Sequence, residues 1–169
     1  MKIPLFWDTV GKSGGNFQIR ILNMFKGQFL YSIDSKSRIS IPAKLRKNLL
    51  PEAKDSFVLT QGIGKCIDVY PADYWDTIEK RLNQLNQYDP NEMKFIRMFL
   101  QHATDAEMDT QSRIILPPYL LEFAGIEKEV LILGALQKIE IWNPQIFKDH
   151  STGSPESYDQ LAAKVMMGR

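Results

Sequence analysis

The sequence holds a single cysteine and two histidines among 169 residues. One cysteine excludes an intrachain disulfide framework, and two histidines are too few for a histidine-rich metal centre. Long apolar runs are also missing, and none approaches the roughly 20 residues that a membrane span requires. The apolar stretch 3–7 is too short for the core of a signal peptide, and Asp8 follows it. Neither sign of charge dominates: 21 Lys and Arg face 20 Asp and Glu, a formal net charge of +1. That argues against a uniformly basic nucleic-acid coat and says nothing about local patches. Hydrophobic residues at 44% and charged residues at 24% are near the globular averages, so wholesale disorder is not expected. The length fits one ordinary domain or two small ones.

What is present is an internal repeat. IDSKSRISIPAKL (33–45) answers MDTQSRIILPPYL (108–120) at an offset of 75. Asp34, Ser37 and Arg38 match Asp109, Ser112 and Arg113, and Ile39, Pro42 and Leu45 match Ile114, Pro117 and Leu120. A second pair follows at an offset of 72, where Gly62, Ile67 and Tyr70 meet Gly134, Ile139 and Trp142. The change of offset means three fewer residues in the second connector, as an insertion in a surface loop would give.

Each repeat reads as β-α-β-β. Residues 28–33 alternate Phe29, Tyr31 and Ile33 on one face, a strand of period two. Residues 34–37 predict a turn, since Asp and Ser side chains bond nearby backbone N–H groups. An extended run 38–41 and a helix 43–50, entered through Pro42 and ended before Pro51, come next. A hairpin joins 57–60 to 66–70. The second repeat gives the same order: a helix from Pro117 to Ala124 with Gly125 as its C-terminal cap, then a hairpin of 130–133 and 138–142. Between the repeats, Trp75, Ile78, Leu82 and Leu85 recur at helical spacing, and Asp89-Pro90 opens a second helix with Phe95, Met98, Phe99 and His102 on one face. That face suits either the intrachain core or a subunit contact. Residues 148–169 read as a polar tail, with 158–167 able to form one weak helix. A half-repeat buries its strands poorly alone, so the halves are expected to interleave around one shared barrel core that closes their edges.

MFKGQF, DSKSRISIPAKLR, DTQSRIILPPYL and KIEIW together resemble the MraZ family, over roughly residues 24–147. The carrying motif is D-x-x-x-R followed by I-x-[IL]-P, present twice and in order. The resemblance implies an α+β fold: a swapped-hairpin AbrB-like double-psi β-barrel formed from two internal repeats, with inserted helices. It implies a transcriptional regulator, a repressor, of the bacterial division and cell-wall gene cluster. It also implies a ring-shaped homo-oligomer on double-stranded DNA with promoter direct repeats, cytoplasmic and associated with the nucleoid. The segments are then 1–23, a real extension or a mis-assigned start; 24–78, the first repeat; 79–101, a helical connector; 102–147, the second repeat; and 148–169, the tail. The family usually has Gly before the motif Arg, where this chain has Ser37 and Ser112. Either positive φ is not needed there or the turn is altered.

Charge sharpens the site. Residues 24–50 carry Lys26, Lys36, Arg38, Lys44, Arg46 and Lys47 against Asp34 alone, a net +5. Residues 101–128 carry Arg113 and Lys128 against five acidic residues, a net −3. A polyanion should therefore prefer the first repeat. The expected DNA-binding set is Arg38, Lys36, Ser35, Ser37, Asp34, Lys44, Arg46 and Arg113. Arg38 is the base reader, because its planar fork matches two acceptors on guanine. Lys36 can contact base or phosphate. Lys44, Arg46 and Lys47 suit phosphates or simple solvation. Asp34 fixes the turn or orients Arg38. Arg113, in acidic surroundings, is expected mainly to hold its own turn or a subunit contact.

Other chemistry is weakly signalled. GKSGG (11–15) lacks the upstream glycine of a phosphate-cradling loop, since position 6 is Phe. Cys66 shares a strand face with Asp68 and Tyr70 and reads as a buried, inert thiol. A metal site of Cys66, His102 and His150 would need a coincidence of folding. The acidic run 105–109 reads as a solvated turn and lacks the glycine and terminal Glu of a calcium loop. No enzyme activity, cofactor, small-molecule substrate or membrane partner is expected. The competing readings are a protein-interaction module, such as a partner of an AbrB-type antitoxin, and a double-psi-barrel enzyme.

Overall fold

Strand β1 (Phe25–Ser32) places Phe25, Phe29 and Tyr31 inward while Lys26, Gln28 and Leu30 face out, as its period-two pattern requires. The chain then turns through 34–37 into the short strand β2 (Arg38–Ser40) and helix α1 (Ala43–Arg46). The computed structural model describes residues 24–153 and 156–167. The expectations about residues 1–23, including GKSGG, lie outside them.

Helix α1 is shorter than the expected 43–50. Beyond Arg46 the backbone continues in i→i+3 bonds, Asn48 N–H to Leu45 O at 2.9 Å and Leu49 N–H to Arg46 O at 3.0 Å. Leu50 is extended, at φ −82° and ψ 149°, as a residue before proline prefers. A 3₁₀ turn (Pro51–Ala53) leads to the hairpin of β3 (Ser56–Gln61) and β4 (Ile67–Pro71). Helices α2 (Ala72–Asn83) and α3 (Pro90–Leu100) follow. The side chain of Asp89 caps α3 by accepting from Asn91 and Glu92 N–H, both at 2.9 Å.

The second repeat runs β5 (Thr104–Glu107), β6 (Arg113–Ile115), α4 (Pro118–Ala124), β7 (Glu129–Leu136) and β8 (Lys138–Trp142). Gly125 caps α4 in the left-handed region at φ 62°. The acidic run 105–109 is not the expected solvated turn: Asp105 and Glu107 lie on β5, which pairs with β3 and turns both carboxylates outward. Nor does the chain become a tail at Lys148, because α5 (Pro144–Thr152) runs through it. Continuing the 72-residue offset past Trp142 sets Tyr74 and Trp75 against Ile146 and Phe147, so α5 is the counterpart of α2. Helix α6 (Tyr158–Met167) occupies the span where a weak helix was expected and buries none of its residues.

The repeats exchange strands. The main sheet is antiparallel with order β1-β7-β8-β4-β3-β5, so β1 pairs with the second repeat's hairpin and β5 with the first's. Strands β2 and β6 form a separate two-stranded ribbon. The halves interleave as expected, but the expected closed barrel is not the observed pairing. Among the described residues β1 and β5 stand at opposite ends of the main sheet, and the 34–37 and 109–112 turns divert the chain into the ribbon.

The core lies between the ribbon, α1, α4 and the sheet. It is built of repeat-related pairs: Ile39 with Ile114, Ile41 with Leu116, Leu45 with Leu120 and Ile67 with Ile139. Helices α2 and α3 make a second cluster around Val58, Tyr70 and Trp75. Phe99 joins it, stacked on Trp75 at 5.8 Å between ring centroids, while Phe95 and Met98 stay 52% and 56% exposed. The apolar face of α3 is thus divided between core and solvent. Helix α5 covers Cys66, Leu131 and Trp142 in a third cluster.

Leu120 is fully buried where α4 meets the shared core. Leu120→Ala should lower unfolding free energy by about 2–5 kcal/mol, through lost transfer energy and a cavity. Denaturant unfolding checks this, and a loss well below that range would mean that the site collapses around the smaller side chain.

Candidate nucleic-acid interface

The two D-x-x-x-R turns are built alike. In the first, Ser37 N–H bonds to Asp34 O at 3.0 Å and Asp34 N–H to Arg38 O at 3.0 Å. Asp34 Oδ1 accepts the backbone N–H groups of Lys36 and Arg38 at 2.9 and 3.0 Å. Its Oδ2 accepts from Arg38 Nε and Nη2, both at 2.7 Å. Asp34 therefore both fixes the turn and orients the arginine. The second turn repeats this: Asp109 Oδ1 takes Gln111 and Arg113 N–H at 2.9 Å, and Oδ2 takes Arg113 Nε and Nη2 at 2.9 and 2.7 Å.

Ser37 and Ser112 sit at φ 57° and 61°. The turn does need a left-handed residue before the arginine, and serine adopts it at a cost of roughly 1–2 kcal/mol relative to glycine's freedom. The backbone path is therefore kept despite the serines, and with it the presentation of Arg38 and Arg113.

The turns are joined to each other. Strands β2 and β6 pair antiparallel, with Ile41 N–H to Ser112 O at 2.9 Å and Leu116 N–H to Ser37 O at 2.8 Å extending the ribbon at both ends. Arg113 Nη1 lies 3.9 Å from Asp34 Oδ2, so one carboxylate meets the arginines of both repeats. Sequence reasoning missed this link, and the acidic surroundings of Arg113 gave no sign of it.

Side-chain availability differs across the expected set. Ser35 and Lys36 are exposed at the tip of the turn, while Asp34, Ser37, Arg38 and Arg113 are half-buried. Asp34 occupies only the Nε and Nη2 side of Arg38, which leaves the Nη1 edge free of ion pairs among the described residues. Lys44 and Lys47 are exposed on and just after α1. Arg46, also exposed, donates its Nε to Ile41 O at 3.1 Å, which ties it to the end of the ribbon. The hydrogen bonds from Arg38 hold the Asp34 carboxyl at about 2, well below its ordinary 3.8. Those from Arg113 likewise lower Asp109. Both carboxylates stay ionised under any ordinary condition, and each holds its arginine in place.

A second polar cluster is partly buried and sets one ammonium between two carboxylates. Lys138 Nζ lies 2.8 Å from both Asp68 oxygens and 2.9 Å from Glu140 Oε1. Cys66, Asp68 and Glu140 are close enough to share a cation, and the Lys138 ammonium already bridges the two carboxylates. Burial, aided by the charges of Asp68 and Glu140, pushes the Cys66 thiol far up, which makes it a poor nucleophile. The histidines are elsewhere: His102 lies against the Tyr119 ring at 5.8 Å and His150 against Trp142 at 5.3 Å.

A family model described as "MraZ protein, putative antitoxin-like" matches the chain twice, over residues 24–98 and 99–166. The chain belongs to the MraZ family. The two matches together span both turns and the strands that join them. Among the MraZ relatives, the "Transcriptional regulator MraZ" of Halothermothrix orenii is 40% identical over 142 residues, 84% of this chain and 96% of that protein. The protein of the same description from Natranaerobius thermophilus is 36% identical over 143 residues, covering 85% and 97%. That from Caldanaerobacter subterraneus subsp. tengcongensis is 38% identical over 139 residues, covering 82% and 94%.

The Asp34 carboxyl should titrate near 2 in the folded protein, against an ordinary 3.8. A depressed carboxylate stabilises the fold above its unfolded value, and that contribution is lost as pH falls from about 4 through about 2. Arg38→Ala should return the midpoint towards the ordinary carboxylate range. Carbon-detected NMR titration of the carboxyl reads both, and an unmoved midpoint in the variant would remove Arg38 as the cause.

Proposed function

We propose that this chain is a sequence-specific, DNA-binding transcriptional regulator, a repressor of the division and cell-wall gene cluster. It acts in the cytoplasm on the nucleoid, as a ring-shaped homo-oligomer on promoter direct repeats. The observation that carries this is the pair of carboxylate-held arginines joined across the β2–β6 ribbon. A guanidinium fixed by a neighbouring carboxylate loses little freedom on binding, and its free edge matches O6 and N7 of guanine. The description of the relatives as transcriptional regulators supports the same reading. The exchange of strands between repeats supports the AbrB-like, swapped-hairpin assignment of the fold.

Roles divide by geometry. Arg38 reads a base, and Lys36 at the exposed tip contacts base or phosphate. Lys44 and Arg46 contact phosphates from α1, with Ser35 and Ser37 shaping the turn. Arg113 supports the twin turn and Asp34. A single patch of this size binds weakly, so copies arrayed in a ring gain through effective concentration and favour regularly spaced sites. No helix among the described residues is long and apolar enough to cross a membrane.

Arg38→Ala should lower promoter affinity at least tenfold, since a bidentate guanine contact is worth about 1–3 kcal/mol and recurs in every copy. Size exclusion should show an unchanged oligomer. A gel shift with the promoter duplex measures the loss, and unaltered affinity would remove this loop from the interface.

Binding should also weaken steeply with salt, because log affinity falls by about 0.9 for each phosphate neutralised per decade of salt. Fluorescence anisotropy from 50 to 300 mM salt measures the slope. A flat line would favour a protein-interaction module instead.

A further inference from the structure

The repeats are alike in backbone but not on the ribbon's outer face. Strands β2 and β6 set Arg38 opposite Ile115, Ile39 opposite Ile114, and Ser40 opposite Arg113. Ile39 and Ile114 are buried at 1% and 0%. Strand alternation turns Arg38, Ser40, Arg113 and Ile115 to the other side. The outer face is thus a four-residue patch with the two arginines on one diagonal. On the other diagonal stand Ser40 and Ile115, which the 75-residue offset maps onto each other. One arginine has an isoleucine across the ribbon, and its twin has a serine.

Ile115 is 60% exposed, while its neighbours Ile114 and Leu116 are fully buried. It contributes nothing to the core from that position. Its Cβ lies roughly 5 Å from that of Arg38, as directly opposed residues do. The major groove of DNA admits a two-stranded ribbon, and its floor offers O6 and N7 on guanine and a 5-methyl group on thymine. A branched apolar side chain beside a guanine-reading arginine is placed for that methyl group.

We propose that Ile115 is a specificity residue that contacts the 5-methyl group of a thymine beside the guanine read by Arg38. Ser40 gives the Arg113 half no such preference. This rests on the DNA-binding reading above and adds polarity to it. A patch with two unlike halves reads its element in one direction, as tandem direct repeats require and a palindromic half-site within one protomer would not.

The test starts from the element selected out of random duplex DNA by the full-length protein. Each thymine is replaced singly by deoxyuridine, which removes only the methyl group. One replacement, next to the guanine that Arg38→Ala no longer distinguishes, should weaken binding about fourfold, the worth of one buried methyl-sized group. Ile115→Ser should bind the thymine duplex about fourfold more weakly and make no distinction between thymine and deoxyuridine there. Ile115→Val should keep part of the distinction. The proposal is overturned if no deoxyuridine position matters, or if Ile115→Ser retains the full thymine preference. It is also overturned if Ile115→Ser changes the elution volume, which would assign Ile115 to a contact between copies. Failure of the unaltered protein to select any DNA would overturn the parent reading as well, whereas binding without a methyl effect removes this inference alone.

Discussion

Neither repeat can satisfy its own strands. Among the described residues, strands β1, β2, β5 and β6 find their strand partners in the other repeat, and β4 and β8 join the two hairpins at the centre of the sheet. Unpaired backbone groups are costly when buried, so the halves fold as one unit or leave half of their strands unpaired. The ribbon follows from the same constraint. Its three-residue strands are too short to stand alone, and the buried faces of Ile39 and Ile114 fix which residues point outward.

The same exchange creates the arginine pair. Asp34 and Arg38 are four residues apart and could form an ordinary surface ion pair of little energetic worth. Two features make this pair different. The carboxylate spends its second oxygen on the backbone of the turn, and the ribbon brings the twin arginine within 3.9 Å. Positive φ at Ser37 and Ser112 closes both turns. In the proposed function, base reading and electrostatic attraction therefore fall to different residues. The two carboxylates cancel the charge of the two arginines, and Lys36, Lys44 and Arg46 supply the net positive field.

The motif turns, the hairpins, the Gly125 cap and the Asp89 cap were all legible, because each rests on chemistry within four or five residues. The repeat itself supplied most of the core list, as paired positions such as Leu45 and Leu120 are buried together. Three features were misread for want of context. The acidic run at Asp105 became a strand because β3 offered an edge, overriding its low strand propensity. Helix α1 gives way after Arg46 to i→i+3 turns, and Leu50, extended before Pro51, closes off any further helix. The end of helix α5, residues 148–152, was taken for tail because it is polar, whereas Ile146 and Phe147 earlier in the helix cover Trp142.

The sequence by itself determined the twofold plan, the two carboxylate–arginine turns and the uneven charge of the halves, since these are properties of residue order and short-range hydrogen bonding. Tertiary structure decided which strands pair, that one carboxylate meets both arginines, and that Ile115 rather than Ser40 stands across from Arg38. Strand register is a long-range choice, set by which side chains can be buried against a distant partner, and no local pattern encodes it.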